Sequence, residues 1–242
     1  MTEQTQQYKR VLLKISGESL CKPGSFGIDS EELKIIASEI VKAAKVGAQL
    51  GIVVGGGNII RGATLAQEGA IQQATADQMG MLGTVMNGLA LKEMLEKLGQ
   101  PARVLSAINL SAVAETFIRG RAIRHMEKGR VVIFVAGTGN PFFTTDSAAS
   151  LRAAEISADV LLKATKVDGI YDKDPVKYPD AIRYKHLTFS QAIDQDLKVM
   201  DLTAFDMCRK RNIPIIVFNM KNPDHIANVV AGKEHGTKVT VD

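Results

Sequence analysis

The sequence contains few cysteine, histidine and aromatic residues, and these shortages disfavour several classes of protein. Among 242 residues there are two cysteines, four histidines and no tryptophan, and aromatic residues make up only 5%. No paired spacing typical of metal ligands connects the histidines, which are His125, His186, His225 and His235. Cys21 and Cys208 are far apart and form no CxxC pattern, so we expect buried or free thiols rather than a disulfide or a metal site.

Long hydrophobic runs and a strong charge bias are also missing. No stretch approaches the 18 or so apolar residues of a membrane span, and the polar start MTEQTQQYKR has no apolar region typical of a secretory signal. The net charge of +4 comes from basic residues spread along the chain, and few aromatic residues are available to stack on bases. We therefore expect a cytoplasmic globular protein that binds anionic small molecules, with no membrane and no nucleic acid as partner.

Strand and helix patterns alternate along the chain. Short apolar runs predict strands over residues 11–15, 51–54, 102–106, 131–136, 160–163, 215–218 and 237–241. Helical spacing predicts helices over 33–44, 74–98, most of 108–128, 151–156, 201–211 and 223–230. Asp29 and Glu32 resemble a capping box at the first helix start. This alternation predicts an α/β sandwich with a mainly parallel central sheet.

Glycines interrupt the long predicted helix over residues 74–98. Gly80, Gly83 and Gly88 each cost a helix roughly 1 kcal/mol relative to alanine. We interpret them as a sign of close packing against another helix, which could belong to a second subunit.

The stretch 131–149, VVIFVAGTGNPFFTTDSAA, runs from a predicted buried strand through a glycine-containing loop into a helix start. Gly137 and Gly139 can adopt positive φ and let a ligand approach the main chain. Asp146 lies where the helix should begin, and the free N–H groups there suit a phosphate. An ordinary turn with Asp146 as the helix cap explains the same residues.

Two other predicted strands end in glycine loops. In the first, Lys14 stands beside Gly17, where a lysine can contact phosphate oxygens, although a lysine at a strand end is often only solvated. In the second, GGGN at 55–58 is followed by Arg61, and three successive glycines favour a phosphate cradle over a strained turn.

The common nucleotide-binding signatures are absent from these loops. No GxxxxGK[ST] occurs, and GxGxxG fails because Ile60 and Phe142 stand where glycine is required. A further segment, LKATKVDGIYDKDP at 162–175, contains acidic residues that taken alone indicate a solvated polar turn. Any phosphate site must therefore have another design.

Taken together, KxSGE, GGGN followed by Arg, GTGNPFFTTDSAA and LKATKVDGIYDKDP resemble the bacterial uridylate kinase family of the amino-acid kinase superfamily. The resemblance runs from about Tyr8 to Val241, and GTGNPFFTTD is its most specific part. It implies one amino-acid kinase domain over 1–242 with a three-layer α/β/α fold, comprising a polar tail at 1–8, a UMP-side lobe at about 9–150 and an ATP-side lobe at about 151–242. It also implies a homohexamer.

The resemblance further implies direct transfer of the γ-phosphoryl group of ATP to UMP in pyrimidine nucleotide synthesis, with Mg²⁺ bound to ATP. The catalytic residues would be Lys14, Asp146 and Arg61, with Asp146 orienting the lysines. The ATP-binding residues would be Lys14, Ile15, Ser16, Gly17, Gly57, Arg61, Thr165, Tyr171 and Asp174. The UMP-binding residues would be Gly56, Asp77, Thr138, Gly139, Asn140, Pro141, Phe142, Phe143, Thr144 and Thr145.

Members of the family are commonly activated by GTP and inhibited by UTP. Arg103 and Arg130 match basic positions of the GTP site, but Lys92 and Glu96 stand where Arg and His are expected. Since Glu96 would repel a triphosphate, we expect a weaker or differently placed GTP response. A nucleotide-binding protein without catalysis is the main alternative function, and the missing fingerprint disfavours a dehydrogenase.

Overall fold

The computed structural model describes residues 8–60, 69–197, 199–220, 224–233 and 235–241. Within them the strands are β1 (Arg10–Ile15), β2 (Gln49–Val54), β3 (Ala102–Ser106), β4 (Glu115–Thr116), β5 (Val131–Val135), β6 (Val160–Thr165), β7 (His186–Thr188), β8 (Ile215–Asn219) and β9 (Thr237–Thr240). They form one sheet in the order β4-β3-β5-β2-β1-β6-β8-β9-β7. All neighbouring strands are parallel except β8 and β9, which are antiparallel.

Helices cover both faces of this sheet. They are α1 (Ser30–Lys45), α2 (Gln73–Lys97), α3 (Arg119–Glu127), α4 (Thr145–Glu155), α5 (Phe189–Asp194), α6 (Leu202–Lys210) and α7 (His225–Val230), with a 3-10 helix at Gly17–Leu20. Helices α1, α2 and α7 share one apolar core with the sheet, and α3 to α6 share the other. The expected three-layer α/β/α sandwich with a mainly parallel sheet is therefore confirmed. None of the described helices is long and apolar enough to cross a membrane.

The two cores follow from the alternation of side chains along each strand. In β5, Val131, Ile133 and Val135 face the core of α1, α2 and α7. Val132 and Phe134 face the opposite core, so the run VVIFV is buried on both sides. The strand ends one residue earlier than predicted because Ala136 has a left-handed backbone with φ of 61°.

Both cysteines are buried, and Cys208 belongs to the core of α3 to α6. Cys21 and Cys208 are buried free thiols, as the sequence predicted. Burial raises the pKa of Cys208 to about 11, which keeps this thiol protonated at neutral pH.

The predicted helix over 108–128 is wrong in its first half. Only Arg119–Glu127 is helical, and Glu115–Thr116 instead pairs with β3 as the short strand β4. The backbone N–H of Phe117 donates to the carbonyl of Ser106, and the Phe117 ring packs edge-on against Phe134. Pairing with the sheet edge thus overrides the local helical spacing in this segment.

Gly83 and Gly88 of α2 pack against the loop after β2 and against the sheet, so for these two glycines the expectation of a second helix is wrong. A Cβ on Gly88 would lie 2.3 Å from Cγ1 of Val135, and one on Gly83 would lie 3.3 Å from the carbonyl oxygen of Gly56. At Gly80 a Cβ would meet no described atom within 4 Å. Gly83 and Gly88 therefore let α2 lie directly on β5 and on the loop after β2.

Candidate active site

Three charged side chains meet at the carboxyl edge of the sheet, between β1, β6 and α4. Lys14 and Lys163 are paired partners in the adjacent parallel strands β1 and β6. Nζ of Lys14 lies 3.0 Å from Oδ1 of Asp146, and Nζ of Lys163 lies 2.6 Å from Oδ2. Nζ of Lys163 also donates to the carbonyl of Val199 at 2.6 Å. One carboxylate thus holds two lysines that would otherwise repel each other.

Burial and charge oppose each other at this cluster. Burial is the strongest influence on the pKa of Asp146 and acts to raise it, but the ammonium groups of Lys14 and Lys163 together lower the pKa below its usual value. Burial lowers the pKa of Lys163, an effect that Asp146 opposes and the charge of Lys14 reinforces. Asp146 is therefore ionised at neutral pH, and Lys163 loses its proton more readily than an ordinary lysine.

Asp146 can bind the lysines because another residue caps α4. The hydroxyl oxygen of Thr144 accepts from the backbone N–H groups of Asp146 and Ser147 at 3.0 and 3.1 Å. The Thr144 hydroxyl itself donates to Asp201, the residue that caps α6. The Ser147 hydroxyl also donates to Asp201, at 3.1 Å. The cap function considered for Asp146 therefore belongs to Thr144.

The first two glycine loops pack against each other. A Cβ on Gly17 would lie 2.5 Å from Oδ1 of Asn58 and 2.6 Å from the carbonyl oxygen of Gly55. A Cβ on Gly55 would lie 3.0 Å from the backbone nitrogen of Gly17, and one on Gly56 would lie 2.5 Å from the carbonyl oxygen of Gly80. At Gly57 a Cβ would meet none of the described atoms within 4 Å. Packing thus accounts for Gly55 and Gly56, and Gly57 alone offers an open backbone.

A pair of buried asparagines fixes the second loop on α2. The side chains of Asn58 and Asn87 exchange hydrogen bonds of 3.0 and 2.6 Å. Asn87 also donates to the carbonyl of Gly55 at 2.7 Å, and Asn58 donates to the carbonyl of Gly27 at 2.8 Å. The loop position is therefore set by the helix packed beneath it. Arg61, predicted beside this loop, lies outside the described residues.

Thr84 of α2 fixes the start of the loop after β5. Its hydroxyl oxygen accepts from the backbone N–H of Ala136 at 2.7 Å, and the hydroxyl donates to the carbonyl of Met81 at 2.7 Å. Gly137 and Gly139 follow with φ of 57° and 86°, as their positions predicted. The turn therefore combines the left-handed Ala136 with two glycines.

A cavity of about 290 Å³ lies between the loop after β2, α2 and the start of α4, and we call it the α2 cavity. Five of the residues that the resemblance assigns to UMP line it, namely Gly56, Asp77, Phe143, Thr144 and Thr145. Gly57, which the resemblance assigns to ATP, lines this cavity as well, and so does Thr84. The structure thus places the first residues of the predicted UMP set, Gly56 and Asp77, in the same cavity as the last ones, Phe143 to Thr145.

The middle of that set lies outside the lining of the α2 cavity. These residues are Thr138, Gly139, Asn140, Pro141 and Phe142. The Thr138 hydroxyl oxygen accepts from the backbone N–H of Asn140 at 3.2 Å, which closes a turn. The backbone N–H of Phe142 donates to Asp77 at 2.7 Å, and the Phe142 side chain is 73% exposed. Asp77 therefore ties this loop to α2.

A second cavity of about 430 Å³ lies beyond β6, and we call it the β6 cavity. Lys163 and the predicted ATP residues Thr165, Tyr171 and Asp174 line it. The Tyr171 hydroxyl donates to the carboxylate of Asp168, and this hydrogen bond raises the pKa of Tyr171. The cluster around Asp146 thus connects to the β6 cavity through Lys163.

The remaining predicted ATP residues belong to the end of β1. The Ile15 side chain is fully buried, and its carbonyl accepts from the backbone N–H of Gly55 at 3.0 Å. The carbonyl of Ser16 accepts from the backbone N–H of Ser19 at 3.0 Å. Ile15 therefore belongs to the hydrophobic core.

The predicted regulatory residues belong to a network of charges on α2, β3 and α3. Nη1 of Arg103 lies 3.2 Å from Glu96, and Nζ of Lys92 lies 2.7 Å from the same carboxylate. The guanidinium of Arg130 lies 2.9 Å from Nδ1 of His125. The hydrogen bond from Lys92 is the main reason that the pKa of Glu96 is lowered. Glu96 is therefore an ionised partner of both basic side chains.

The sequence patterns missed several residues that hold this site together. They are Lys163, Asp201, Asn87 and Thr84. Lys163 is a charged residue near the end of an apolar strand, as Lys14 is, and Asn87 is a polar residue on the buried side of α2, so both carried a signal. The contact of Asp201 with α4 is purely tertiary and has no local signature.

The donor set of the site disfavours a metal cage built by the protein alone. In the described part of the chain, no group of three or more His, Cys, Asp or Glu side chains could hold a metal ion. Oδ1 of Asp146 is buried and accepts no well-formed hydrogen bond, although Lys14 lies 3.0 Å away. These residues fit an ion that arrives with phosphate oxygens as its main ligands.

Comparison with known proteins agrees with this geometry. A model of the amino acid kinase family matches residues 9–219, and the chain belongs to this family. A uridylate kinase from Xanthomonas oryzae pv. oryzae (strain KACC10331 / KXO85) is 55% identical over 232 residues, which cover 96% of each chain. Within the amino acid kinases, the chain thus falls among the uridylate kinases.

Solved structures support the same placement. The crystal structure of UMP kinase from Bacillus anthracis has a TM-score of 0.95 and 38% identity, and the match covers 98% of both chains. The UMP kinase structure from Ureaplasma parvum has a TM-score of 0.90 and 41% identity, covering 97% of this chain and all of that chain.

Proposed function

We propose that the protein is a UMP kinase that transfers the γ-phosphoryl group of ATP to UMP and produces UDP and ADP. The observation that carries this proposal is the cluster of Lys14, Asp146 and Lys163, which lies where β1, β6 and α4 meet. Cavities on two sides of this region are each lined by part of the residue set expected for one of the two nucleotides. The uridylate kinase relatives act as independent support.

UMP would occupy the α2 cavity. Asp77, Thr144 and Thr145 line it with oxygen atoms, and Gly57 offers backbone that no described side chain covers. The loop over 138–142 would close over the nucleotide from the side of Asp77. ATP would occupy the β6 cavity, with Thr165, Tyr171 and Asp174 at its base and ribose and Lys163 at its phosphates.

The two lysines would act by position and charge. In-line transfer between phosphates requires alignment and neutralisation of negative charge more than a nucleophile. Lys14 and Lys163 supply two positive charges on neighbouring strands, and Asp146 fixes their direction without forming a covalent bond. Because the acceptor is an ionised phosphate, a general base contributes little.

We further propose that Mg²⁺ enters with ATP. Phosphate oxygens would be its main ligands, and Oδ1 of Asp146 is the buried protein oxygen that could face it. The ion would supply additional positive charge at the phosphates.

The two cavities also support two lobes, at about 9–150 and about 151–242. The residues lining the α2 cavity fall within 53–145, and those lining the β6 cavity fall within 163–217. The acceptor and donor sites would thus belong to successive halves of the chain.

Self-association as a homohexamer, with activation by GTP and inhibition by UTP, forms the last part of the proposal. Leu82 and Met86, one turn apart on α2, are 47% and 53% exposed and offer an apolar surface to another subunit. Arg103 would contact GTP only after it leaves its two carboxylate partners, Glu96 and Glu115. Sedimentation analysis of the protein and of the Met86→Lys variant tests the assembly.

A coupled assay of ADP release tests the activity. We expect turnover with UMP and at least about tenfold lower kcat/KM with CMP, AMP and GMP. Repeating the assay with GTP and with UTP tests regulation. Comparable turnover of CMP would contradict uridylate selectivity, and binding of both nucleotides without ADP release would favour the non-catalytic alternative.

A further inference from the structure

A strongly basic cleft lies at the β8-β9-β7 end of the sheet. Its basic residues are Arg183, Lys185, His186, Lys233, His235 and Lys238, and we call this group the basic cleft. The cleft has a volume of about 320 Å³, which is within the usual range for small-molecule sites. No carboxylate is among the described residues that line it.

The register of the strands places the cleft on the opposite face of the sheet from the lysine pair. Lys238 of β9 is paired with Ile216 of β8 and with His186 of β7, so these three side chains form a row across the sheet. Ile216 belongs to the core of α1, α2 and α7. Lys163 is paired with Val217, which belongs to the other core. The basic cleft is therefore separate from the transfer centre.

Much of the positive charge in the cleft is not compensated. Arg183 pairs with Asp168 at 2.9 Å, and Lys233 donates to the amide oxygen of Asn228 at 3.1 Å. The ammonium groups of Lys185 and Lys238 have neither an ion pair nor a hydrogen bond with any residue that the structure describes. Like charges held together without a partner are unfavourable, and a bound anion would relieve this repulsion.

His235, which is partly exposed, senses the electrostatic field of these charges. The His235 ring stacks on His225 with centroids 4.7 Å apart. Burial lowers the pKa of His235, and the positive charges of His225, Lys233 and Arg183 lower it further. An anion bound in the cleft would oppose that field and raise the pKa of His235.

We propose that the basic cleft is a second anion site, separate from the transfer centre, and that it binds the polyphosphate chain of a small molecule. Lys185, Lys233 and Lys238 would surround the phosphates from three sides, and His235 would donate to them when protonated. A cleft of this limited volume favours a short polyphosphate over a nucleic acid strand, which would need a longer groove.

Calorimetric titration of the whole chain with inorganic tripolyphosphate tests the site. We expect the Lys185→Gln/Lys238→Gln variant to lose one class of binding site or to weaken it by about tenfold or more. The Lys34→Gln/Lys45→Gln variant removes the same charge from the exposed surface of α1 and should bind as the parent does. Thermal unfolding of both variants checks that they are folded.

The ring protons of His235 give an independent measurement by NMR titration. Tripolyphosphate should raise the pKa of His235 in the parent and leave it unchanged in Lys185→Gln/Lys238→Gln. A nucleoside triphosphate in place of the inorganic probe distinguishes the source. An equal rise means that the phosphate chain alone is recognised, and a rise with the inorganic probe only means that the nucleoside is excluded. Either result supports the site.

Two outcomes would overturn the inference. One is parent-like binding of tripolyphosphate by Lys185→Gln/Lys238→Gln. The other is a pKa of His235 that responds to neither polyphosphate.

Discussion

Lys14 and Lys163 are directly paired residues of adjacent parallel strands, and both ammonium groups contact the carboxylate of Asp146. Two like charges in this register would destabilise the sheet without a partner. Asp146 supplies that partner from the first turn of α4. The arrangement keeps two positive charges close together at the end of the sheet, where phosphates would meet.

Removal of either lysine should abolish most of the phosphoryl transfer. For Lys14→Ala and Lys163→Ala we expect kcat to fall by roughly 100-fold or more. Each variant removes one of the two positive charges that would stabilise the transferred phosphoryl group. The dissociation constant of UMP should change little, since neither lysine lines the α2 cavity. ADP release and calorimetry with UMP measure the two effects. Lys210→Ala, an exposed lysine paired with Asp206, is the matched control. Normal turnover by either active-site variant would refute the mechanism.

The pH dependence of kcat should report the proton of Lys163. Because its pKa lies below the usual 10.5, the parent should lose activity as pH rises at a lower pH than an ordinary lysine would predict. Arginine stays charged in this range. A Lys163→Arg variant with residual activity should therefore retain that activity at higher pH. If kcat falls at the same high pH in the parent and in Lys163→Arg, the group that titrates is not Lys163.

Asp146→Asn should destabilise the fold in a pH-dependent way. The pKa of Asp146 is lower in the folded protein than its usual value, so its stabilising effect is present at neutral pH and disappears as pH falls through the folded-state pKa. We expect a loss of about 3 kcal/mol at pH 7, because two buried lysines lose their partner. Urea unfolding should show a larger difference between variant and parent at pH 7 than at pH 3. The exposed ion pairs of Asp206 make Asp206→Asn a suitable control. A loss that is equal at both pH values would argue against this role.

Substitution by alanine should have different effects at the neighbouring residues Gly56 and Gly57. At Gly56 a Cβ would lie 2.5 Å from the carbonyl oxygen of Gly80, so Gly56→Ala should cost about 1–3 kcal/mol of stability. At Gly57 the described surroundings leave room for a Cβ, so Gly57→Ala should fold normally but raise the KM for a nucleotide. Chemical unfolding and steady-state kinetics separate the two effects. If Gly57→Ala leaves the kinetics unchanged, the backbone at Gly57 does not make the proposed phosphate contact.

Glu96→Gln should strengthen the response to GTP. Glu96 is ionised and pairs with both Lys92 and Arg103, so the substitution frees Lys92 and leaves Arg103 with its longer contact to Glu115 at 3.8 Å. We expect GTP to activate at a concentration several-fold lower than in the parent, because about one repulsive charge is removed. Glu93→Gln, on the same helix and without an ion pair to a described residue, serves as the control. Equal GTP dependence of parent and variant would place any GTP site elsewhere.

The layers of the fold were predictable because their signals are local. The run at 131–135 and the helical spacing of α1 depend on burial and hydrogen bonding within a few residues, and Asp29 caps α1 as its position indicates. The segment before α3 was not predictable, since its pairing with β3 is decided by the sheet edge. Likewise, the close packing of Gly88 on Val135 is visible only once α2 lies on the sheet.

The candidate site shows the same limit. Lys14 and Asp146 stand out because each lies beside a glycine loop or a helix start. Their contact with each other, and the inclusion of Lys163, depend on the order β2-β1-β6 in the sheet, which no local pattern specifies. The Asn58–Asn87 pair joins two segments 29 residues apart in the same way.

The start of α4 carries Thr144 and Thr145 toward the α2 cavity and Asp146 toward the lysines. Successive helical residues are turned by about 100° and rise about 1.5 Å, so the spacing between the acceptor pocket and the charge cluster is a property of one helical turn. Insertion or deletion of a single residue here would rotate Asp146 away from both lysines. New acceptor specificities must therefore arise by exchanging side chains at fixed positions, because a change in the length of this segment would uncouple recognition from transfer.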